Sequence, residues 1–389
     1  MALTKVDISL MDNVGTTANK LLAYDGSGNL PAVDGSQLTN PNTGVTESAS
    51  DPTISTNPSG GAGSEWHNTT SGEVYICTDA TAGENVWTNV GAGTGDVAPV
   101  SHAAGGSYGY MSGGAPTKNF ITRYSFTTDG NDADVGDLSV ARYGNPAGSS
   151  DTTHGYTAGG NPNTIDRFSF SAGGNAVDVG DLLSTKIGTG SSQSLTYSYA
   201  HGANSSDVIE KFAFGASANS TDVGNLTSAR STSQGCSSAT HGYICGGNVG
   251  LDIDKYSHSS DGNGVDVGNI PASPTGWARR PPGGSTRDYG YYAGGATDSI
   301  QINKFSFASE GTQTDVGDLI HKTAACSSTS SYTHGYVHGG YGGHPSTNVY
   351  INIIQKYSYT VDADATDVGD LGSPRSLGAD MAEGCGQQY

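Results

Sequence analysis

Short alternations of apolar and polar residues recur along most of this chain. Aromatic side chains alternate with polar ones, as in Phe168-Ser169-Phe170 and Phe305-Ser306-Phe307. A period of two predicts half-buried strands, and turn-forming stretches such as Asp129-Gly130-Asn131-Asp132 fall where hairpins would connect them. Nothing in the repeats shows a sustained apolar period of about 3.6 residues, so the pattern predicts an all-β chain.

The predicted strands belong to a repeat. The triplet Asp-Val-Gly occurs six times, with steps of 44, 44, 44, 49 and 52 residues between copies. Four antiparallel strands in such a length are typical of one propeller blade, whose repeat is usually about 40–50 residues. A residue that recurs in every repeat builds the repeat, because a single active site does not need six copies. We therefore interpret six aspartates as structural: Asp134, Asp178, Asp222, Asp266, Asp315 and Asp367.

The two ends of the repeat region predict a closed ring. The first repeat, near Ser101, lacks the basic-led first strand that opens the later repeats. The chain end, from Arg375 to Tyr389, has such a strand and then stops. The C-terminal strand can therefore complete the N-terminal sheet, which leaves six blades and few exposed sheet edges.

Three positions of the repeat resemble the kelch repeat. These are the glycine pair that closes the second strand, such as Gly113-Gly114, the aromatic residue on the third strand and the apolar residue on the fourth. The tryptophan usual on the fourth kelch strand is absent, and Val135 and its equivalents lie nearby. One repeat reads Gly202-Ala203 in place of the glycine pair. The resemblance implies a six-bladed kelch-like β-propeller over residues 99–389.

Two different segments precede the repeats. Residues 1–43 are polar and cannot bury much surface alone; the wording from Leu30 to Ser36, Leu-Pro-Ala-Val-Asp-Gly-Ser, resembles the N-terminal attachment region of phage tail-fibre proteins. Residues 44–98 resemble a small β module of the same proteins, with two or three strands around Trp66, Tyr75 and Trp87. We therefore expect an extended attachment or oligomerisation segment, then a small β module with its linker, then the propeller.

The N-terminal resemblance implies a function. It is similar to a tail-fibre or receptor-binding subunit of a tailed, marine bacteriophage, made in the host cytoplasm and located in the virion tail. The N-terminus would bind other virion tail proteins, with a homotrimer as one implied assembly. The propeller would bind a host-surface glycan or protein without bond cleavage, and no cofactor is expected.

Charge and composition restrict the partners. The formal net charge of −20 argues against nucleic acid and against anionic membrane surfaces. No run of about 18 apolar residues predicts a membrane span, and the N-terminus lacks the apolar core of a signal peptide. Five cysteines without a Cys-x-x-Cys motif favour buried thiols over a disulfide framework.

Candidate catalytic and metal-binding patterns favour structural interpretations. The Asp129 loop resembles a calcium loop but lacks the glutamate at its twelfth position. A histidine recurs at one position, yet other repeats carry Tyr108 or Tyr289 there. The Gly-x-Ser-x-Gly match ending at Gly109 leads into a predicted strand, whereas a nucleophile elbow leads into a helix. We predict no catalytic residue and no metal ligand; the recurring histidines are His154, His241 and His334.

The irregular connections are the candidate binding surface. The longer steps arise between Ile270 and Tyr289, mostly a connection from a fourth strand to a first, and between Tyr341 and Tyr350, from a second strand to a third. Because strands alternate in direction, both should lie on one face. Variable loops concentrate function, and these carry residues suited to stacking on a sugar or docking a protein: Trp277, Arg280, Arg287, Tyr341, His344 and Tyr350.

Two alternatives remain open. A propeller with this pattern could be an enzyme that degrades polysaccharide or a kelch-type oxidase. It could also be a tail or capsid decoration protein that contacts only virion partners. Propeller fold alone does not distinguish these functions.

Overall fold

The computed structural model describes residues 45–90, 104–270, 283–295, 299–311, 313–323, 325–342, 349–374, 376 and 379–382. They fall into two compact units, one within residues 1–98 and one within residues 99–389. The expected attachment segment, residues 1–43, lies outside the described residues. Over the described ranges the named elements are all strands, and no helix has the length and apolarity needed to cross a membrane.

The N-terminal unit is a single four-stranded sheet, where the sequence pattern predicts two or three strands. Its small core contains Tyr75, Cys77 and Trp87, and Trp66 meets Trp87 edge-on with ring centroids 5.9 Å apart. The first two strands are parallel and the others antiparallel. The strands, in sheet order, are β1 (Val45–Ser48), β2 (Glu65–Asn68), β3 (Val74–Asp79) and β4 (Val86–Asn89).

The C-terminal unit is propeller-like and consists of sheets with four antiparallel strands in chain order, which we number I to VI. A short strand, β5 (Ala104–Gly105), precedes sheet I. Sheet I contains β6 (Tyr108–Ser112), β7 (Lys118–Ser125) and β8 (Ala133–Arg142). Sheet II contains β9 (Ala147–Ser150), β10 (His154–Ala158), β11 (Thr164–Ser169) and β12 (Val177–Asp181). Sheet III contains β13 (Thr189–Gln193), β14 (Tyr197–Gly202), β15 (Ser206–Ala213) and β16 (Thr221–Arg230).

The last three sheets repeat this order. Sheet IV contains β17 (Gln234–Ser237), β18 (His241–Cys245), β19 (Asp252–Ser257) and β20 (Val265–Asn269). Sheet V contains β21 (Gly283–Ser285), β22 (Tyr289–Ala293), β23 (Gln301–Ser306) and β24 (Thr314–Asp318). Sheet VI contains β25 (Ser327–Ser331), β26 (His334–His338), β29 (Ile353–Ser358) and β30 (Thr366–Asp370), and a hairpin of β27 (Tyr341–Gly342) and β28 (Val349–Tyr350) extends it.

The C-terminal strand completes sheet I, as the sequence predicts. β31 (Ala379–Ala382) pairs antiparallel with β6, with Met381 opposite Tyr110. The sequence did not predict the role of β5, which pairs parallel with β25 through Ala104 and Ser330 and makes sheet VI five-stranded. Residues from both ends of the unit are therefore held in sheets formed largely by other parts of the chain.

A buried tyrosine joins each sheet to the next. The tyrosine lies on the second strand and contacts the aromatic pair on the third strand of the following sheet. Tyr110, for example, has ring centroids 5.6 Å from Phe168 and 4.9 Å from Phe170. Sheet VI contacts sheet I in the same way, since Tyr336 stacks on Phe126 at 4.7 Å. All six tyrosines are fully buried: Tyr110, Tyr156, Tyr199, Tyr243, Tyr291 and Tyr336.

Backbone hydrogen bonds also connect successive sheets at the outer strands. The amide of Gly174 in sheet II donates to the carbonyl of Val135 in sheet I at 2.9 Å. Sheet I closes the same series, because the amide of Gly130 donates to the carbonyl of Val368 in sheet VI at 2.7 Å. The intervening bonds are Ser220 to Asp181, Gly262 to Val223, Gly311 to Val267 and Ala365 to Asp318.

The Asp-Val-Gly motif forms a β-bulge at these contacts. In sheet II, Ile165 is opposite Gly180 and Asp166 is opposite Asp178, so Val179 is the extra residue. The Asp178 carboxylate accepts the amide of Gly180 at 3.1 Å. Gly180 has φ of +155°, and a Cβ there would lie 2.3 Å from the carbonyl oxygen of Ala218 in sheet III. The aspartate and glycine thus have architectural roles, which explains their recurrence.

The bulge glycine should be the least substitutable residue of the motif. We expect Gly180→Ala to lower the free energy of unfolding by roughly 2–5 kcal/mol, since it adds both overpacking and backbone strain. Gly174→Ala is the matched control: its φ is +85° and no atom lies within 4 Å of the added Cβ, so only about 1–2 kcal/mol is expected. Denaturant unfolding measures both, and equal losses would contradict this account.

Candidate functional site

Strand direction places both irregular connections on one side of the C-terminal unit. Adjacent strands are antiparallel, so the second and fourth strands of every sheet end at the same edge. We call the surface formed by connections leaving this edge the top face, and the opposite surface the bottom face. The connection from β20 to β21 and the β27–β28 hairpin both belong to the top face, at sheets V and VI.

The structure separates the six predicted binding residues. Tyr341 is opposite Tyr350 in the top-face hairpin, and the Tyr350 side chain is 38% exposed. Arg287, however, lies in the turn between β21 and β22, on the bottom face. The prediction that grouped it with the others is wrong, because β21 already begins at Gly283 and reverses the chain before Arg287. Three residues lie outside the described ranges: Trp277, Arg280 and His344.

The repeated base that precedes the first strand forms a buried ion pair. Arg142 approaches Asp166 of β11 at 2.7 Å, and both side chains are fully buried. Burial lowers the pKa of Arg142, and the charge of Asp166 opposes that shift. Asp166 also accepts the amide of Ser139 at 3.0 Å. Equivalent pairs are Lys186 with Glu210 at 2.9 Å and Arg230 with Asp254 at 3.1 Å.

Sheet VI solves the same packing problem without charge. Thr323 takes the place of the base and donates to the carbonyl of Gly339 at 3.1 Å. Gln355 takes the place of the acid and accepts the amide of His321 at 3.0 Å. Sequence reasoning assigned Lys322 to this repeated position, but Lys322 is exposed and Thr323 is buried. These buried pairs connect the crossing chain to the third strand, so their role is architectural.

The sheet VI arrangement supplies a test of the charged pair. Arg230→Thr or Asp254→Gln alone strands one buried charge and should cost about 3–5 kcal/mol of unfolding free energy. The double substitution copies Thr323 and Gln355 and should recover at least about half of the summed loss. Denaturant unfolding of the single and double variants measures the coupling. Additive losses would show that the two groups do not act as a pair.

A second set of repeated bases, on the third strands, joins neighbouring sheets. Lys211 lies 2.6 Å from Asp261, Lys304 lies 2.6 Å from Asp362, and Lys255 pairs with Glu310. In each case the carboxylate belongs to the turn of the following sheet. Lys356 of sheet VI pairs in the same way with Asp129 of sheet I at 3.0 Å. Asp129, the residue of the calcium-like loop, therefore takes part in an inter-sheet ion pair.

The recurring histidines do not converge. His154, His241 and His334 begin β10, β18 and β26 at the bottom edge of three different sheets. Each Nδ1 lies 2.8 Å from the hydroxyl of the preceding threonine. Across the described ranges, no group of three or more His, Cys, Asp and Glu side chains is arranged to hold a metal ion.

His201 is a buried titratable group that the sequence did not single out. It lies on β14 in the sheet that lacks the glycine pair, and it is fully buried. Its ring fills the space beside Gly190 of the neighbouring strand, where a Cβ would lie 2.5 Å from the ring carbon Cε1. Burial, reinforced by the charges of Arg230 and Lys186, lowers the pKa of His201 to about 3. The side chain is therefore neutral in the folded protein near neutral pH.

This shift predicts acid sensitivity of the fold. The folded-state pKa lies below the unfolded value of about 6.5, so the unfolded chain binds an extra proton between these values. Stability is then complete above about pH 6.5 and falls by about 1.4 kcal/mol per pH unit as the pH drops toward 3. His201→Ala copies Ala158 and Ala293 at the equivalent positions and should flatten this dependence between pH 6 and pH 4. An unchanged slope in denaturant unfolding would refute the assignment.

The inner first strands pack closely through small residues. Gln193 accepts the amide of Ser150 at 3.0 Å and donates to its carbonyl at 2.8 Å. Its own amide donates to the hydroxyl of Ser237 at 2.9 Å. A Cβ at Gly235 would lie 2.0 Å from the carbonyl oxygen of Ser191. These strands are tightly hydrogen-bonded to one another, so we look for ligand contacts on the faces instead.

The cysteines add no further chemistry to the site. Cys77, Cys236, Cys245 and Cys326 are buried free thiols, and Cys385 lies outside the described residues. Burial raises the pKa of Cys236 well above its ordinary value, with Cys245 as a second cause. No protein-family model matches the chain, and no curated protein matches it.

Proposed function

We propose that the six sheets close into a six-bladed kelch-like propeller and that the chain is a tail-fibre or receptor-binding subunit of a phage virion. Three contacts between the ends of the repeat region support closure. β31 pairs with β6 in sheet I, Tyr336 stacks on Phe126, and the amide of Gly130 donates to the carbonyl of Val368. Each is equivalent to a contact within or between other successive sheets.

One observation carries the binding role. The two longest departures from the repeat leave the same edge of neighbouring sheets, while the repeated polar groups are used within or between sheets. Arg142 with Asp166 and Lys356 with Asp129 illustrate the two structural uses. A regular scaffold that presents irregular loops on one face is typical of binding proteins. The propeller is then non-enzymatic and binds a host-surface glycan or protein through its top face.

The N-terminal segments supply the attachment. Residues 1–43 bind other virion tail proteins or oligomerise the chain, as their resemblance to tail-fibre proteins implies. A homotrimer would present several propellers to one cell surface. Weak contacts at each propeller then add into stable adsorption, because linked sites bind at high effective concentration.

Two measurements on the full chain test this function. Antibodies against the propeller should label the tail in electron micrographs of virions, and an excess of purified chain should lower the rate of phage adsorption to host cells. Labelling of the capsid, or adsorption unchanged by saturating protein, would favour the decoration-protein alternative. New reducing ends in host polysaccharide incubated with the chain would favour the enzymatic one.

A further inference from the structure

The charge of the C-terminal unit is distributed unequally between its faces. The chain carries 37 acidic residues, yet the described top-face connections contain none. Acidic groups occupy the bottom face and outer strands instead, for example Asp151, Asp288, Asp261 and Asp362. The acid-free connections are residues 113–117, 143–146, 159–163, 182–188, 203–205, 231–233, 246–251, 294–295, 299–300, 319–323, 325–326, 339–342, 349–352 and 371–374.

Backbone hydrogen bonds join the top-face connections of sheets II to IV into one continuous surface. Gly188 donates to the carbonyl of Gly144 at 2.7 Å, and Thr232 donates to the carbonyl of Gly188 at 2.8 Å. The amide of Asn161 donates to the carbonyl of Lys186 at 3.1 Å. Surfaces that are ordered before binding lose less conformational entropy when a ligand arrives.

This surface exposes apolar side chains beside an aromatic–amide pair. Val140, Tyr143 and Leu183 are 47%, 39% and 55% exposed. The Asn161 side-chain amide donates to the hydroxyl of Tyr143 at 3.2 Å, and both residues are exposed. An aromatic ring covers the apolar face of a sugar, and a neighbouring amide can bond its hydroxyl groups. Sheets II and III thus present groups suited to a carbohydrate away from the two irregular connections.

The missing acids distinguish between kinds of carbohydrate. A site for neutral sugars gains from aspartate and glutamate, which accept hydrogen bonds from hydroxyl groups. A site for an anionic polymer must exclude them, because juxtaposed like charges cost several kcal/mol. On a chain with a net charge of −20, a face whose described connections lack carboxylates is the one that a polyanion can approach.

We propose that the top face of sheets II to IV, centred on Tyr143 and Asn161, binds an anionic host-surface polysaccharide. This inference rests on the proposed receptor-binding function and specifies its face and its ligand class. The sugar rings stack on Tyr143 and lie across Val140 and Leu183, and the carboxylate or phosphate groups of the polymer meet a surface free of opposing acids.

Charge insertion on the two faces provides a matched test. The Val140→Asp/Leu183→Asp double variant adds two acids to the top face. The control, Val177→Asp/Val265→Asp, adds two acids at residues that are 55% and 56% exposed and begin β12 and β20 at the opposite edge. Binding of each full-length variant to envelope polysaccharide from the phage host is measured by biolayer interferometry. Thermal unfolding midpoints verify that both variants fold.

The top-face variant should bind at least about tenfold more weakly and the control within about twofold of the natural chain. Carboxyl-reduced and dephosphorylated polysaccharide should lose binding to the natural chain as well. Tyr143→Ala, which changes no charge, should also weaken binding.

Each other outcome decides between parts of the proposal. Equal binding by both double variants, or binding unchanged by removal of the anionic groups, overturns the inference and leaves the receptor-binding function standing. Binding to host cells but not to their polysaccharide indicates a protein receptor and also overturns the inference alone. If the natural chain does not bind host cells at all, the proposed function fails and the inference with it.

Discussion

Packing of one tyrosine against two aromatic rings of the next sheet is the interaction on which this architecture depends. Only 34% of the chain is hydrophobic, so aliphatic side chains alone provide a thin core. Aromatic residues each bury about 150–250 Å² and gain further from tilted and edge-on contacts. The tyrosine on each second strand therefore supplies much of the surface that holds neighbouring sheets together. Its hydroxyl extends this contact in some sheets, as when Tyr156 accepts the amide of Gly215 at 2.8 Å.

Polar repeats complete what the aromatic contacts begin. Buried pairs such as Arg142 with Asp166 connect the crossing chain to the third strand, and exposed pairs such as Lys356 with Asp129 connect sheets at their rims. The bulge glycines bring the outer strand of one sheet against the turn of the next. Because these groups serve the scaffold in repeat after repeat, recognition falls to the connections between strands, which vary freely and lie mostly on one face.

The sequence predicted the repeat, the strands and the pairing of the C-terminal strand with the first sheet, because each leaves a periodic signal. It could not predict which groups pair across strands. Arg142 meets an acid 24 residues later, a separation set by register rather than by local pattern. The shift from Lys322 to Thr323 and the bottom-face position of Arg287 depended on where strands begin. The face at Tyr143 was missed because its connections are of ordinary length and only the distribution of charge distinguishes them.

A double-mutant cycle across the joint between sheets VI and I tests the central claim most directly. Tyr336 and Phe126 stack there at 4.7 Å and 28°, and Tyr243 and Phe307 stack at 4.7 Å and 24° between sheets IV and V. Alanine substitutions at both pairs, followed by denaturant unfolding, give two coupling energies. The account predicts similar values of about 0.5–1.5 kcal/mol. A coupling near zero for Tyr336 and Phe126, beside a normal value for Tyr243 and Phe307, would contradict it.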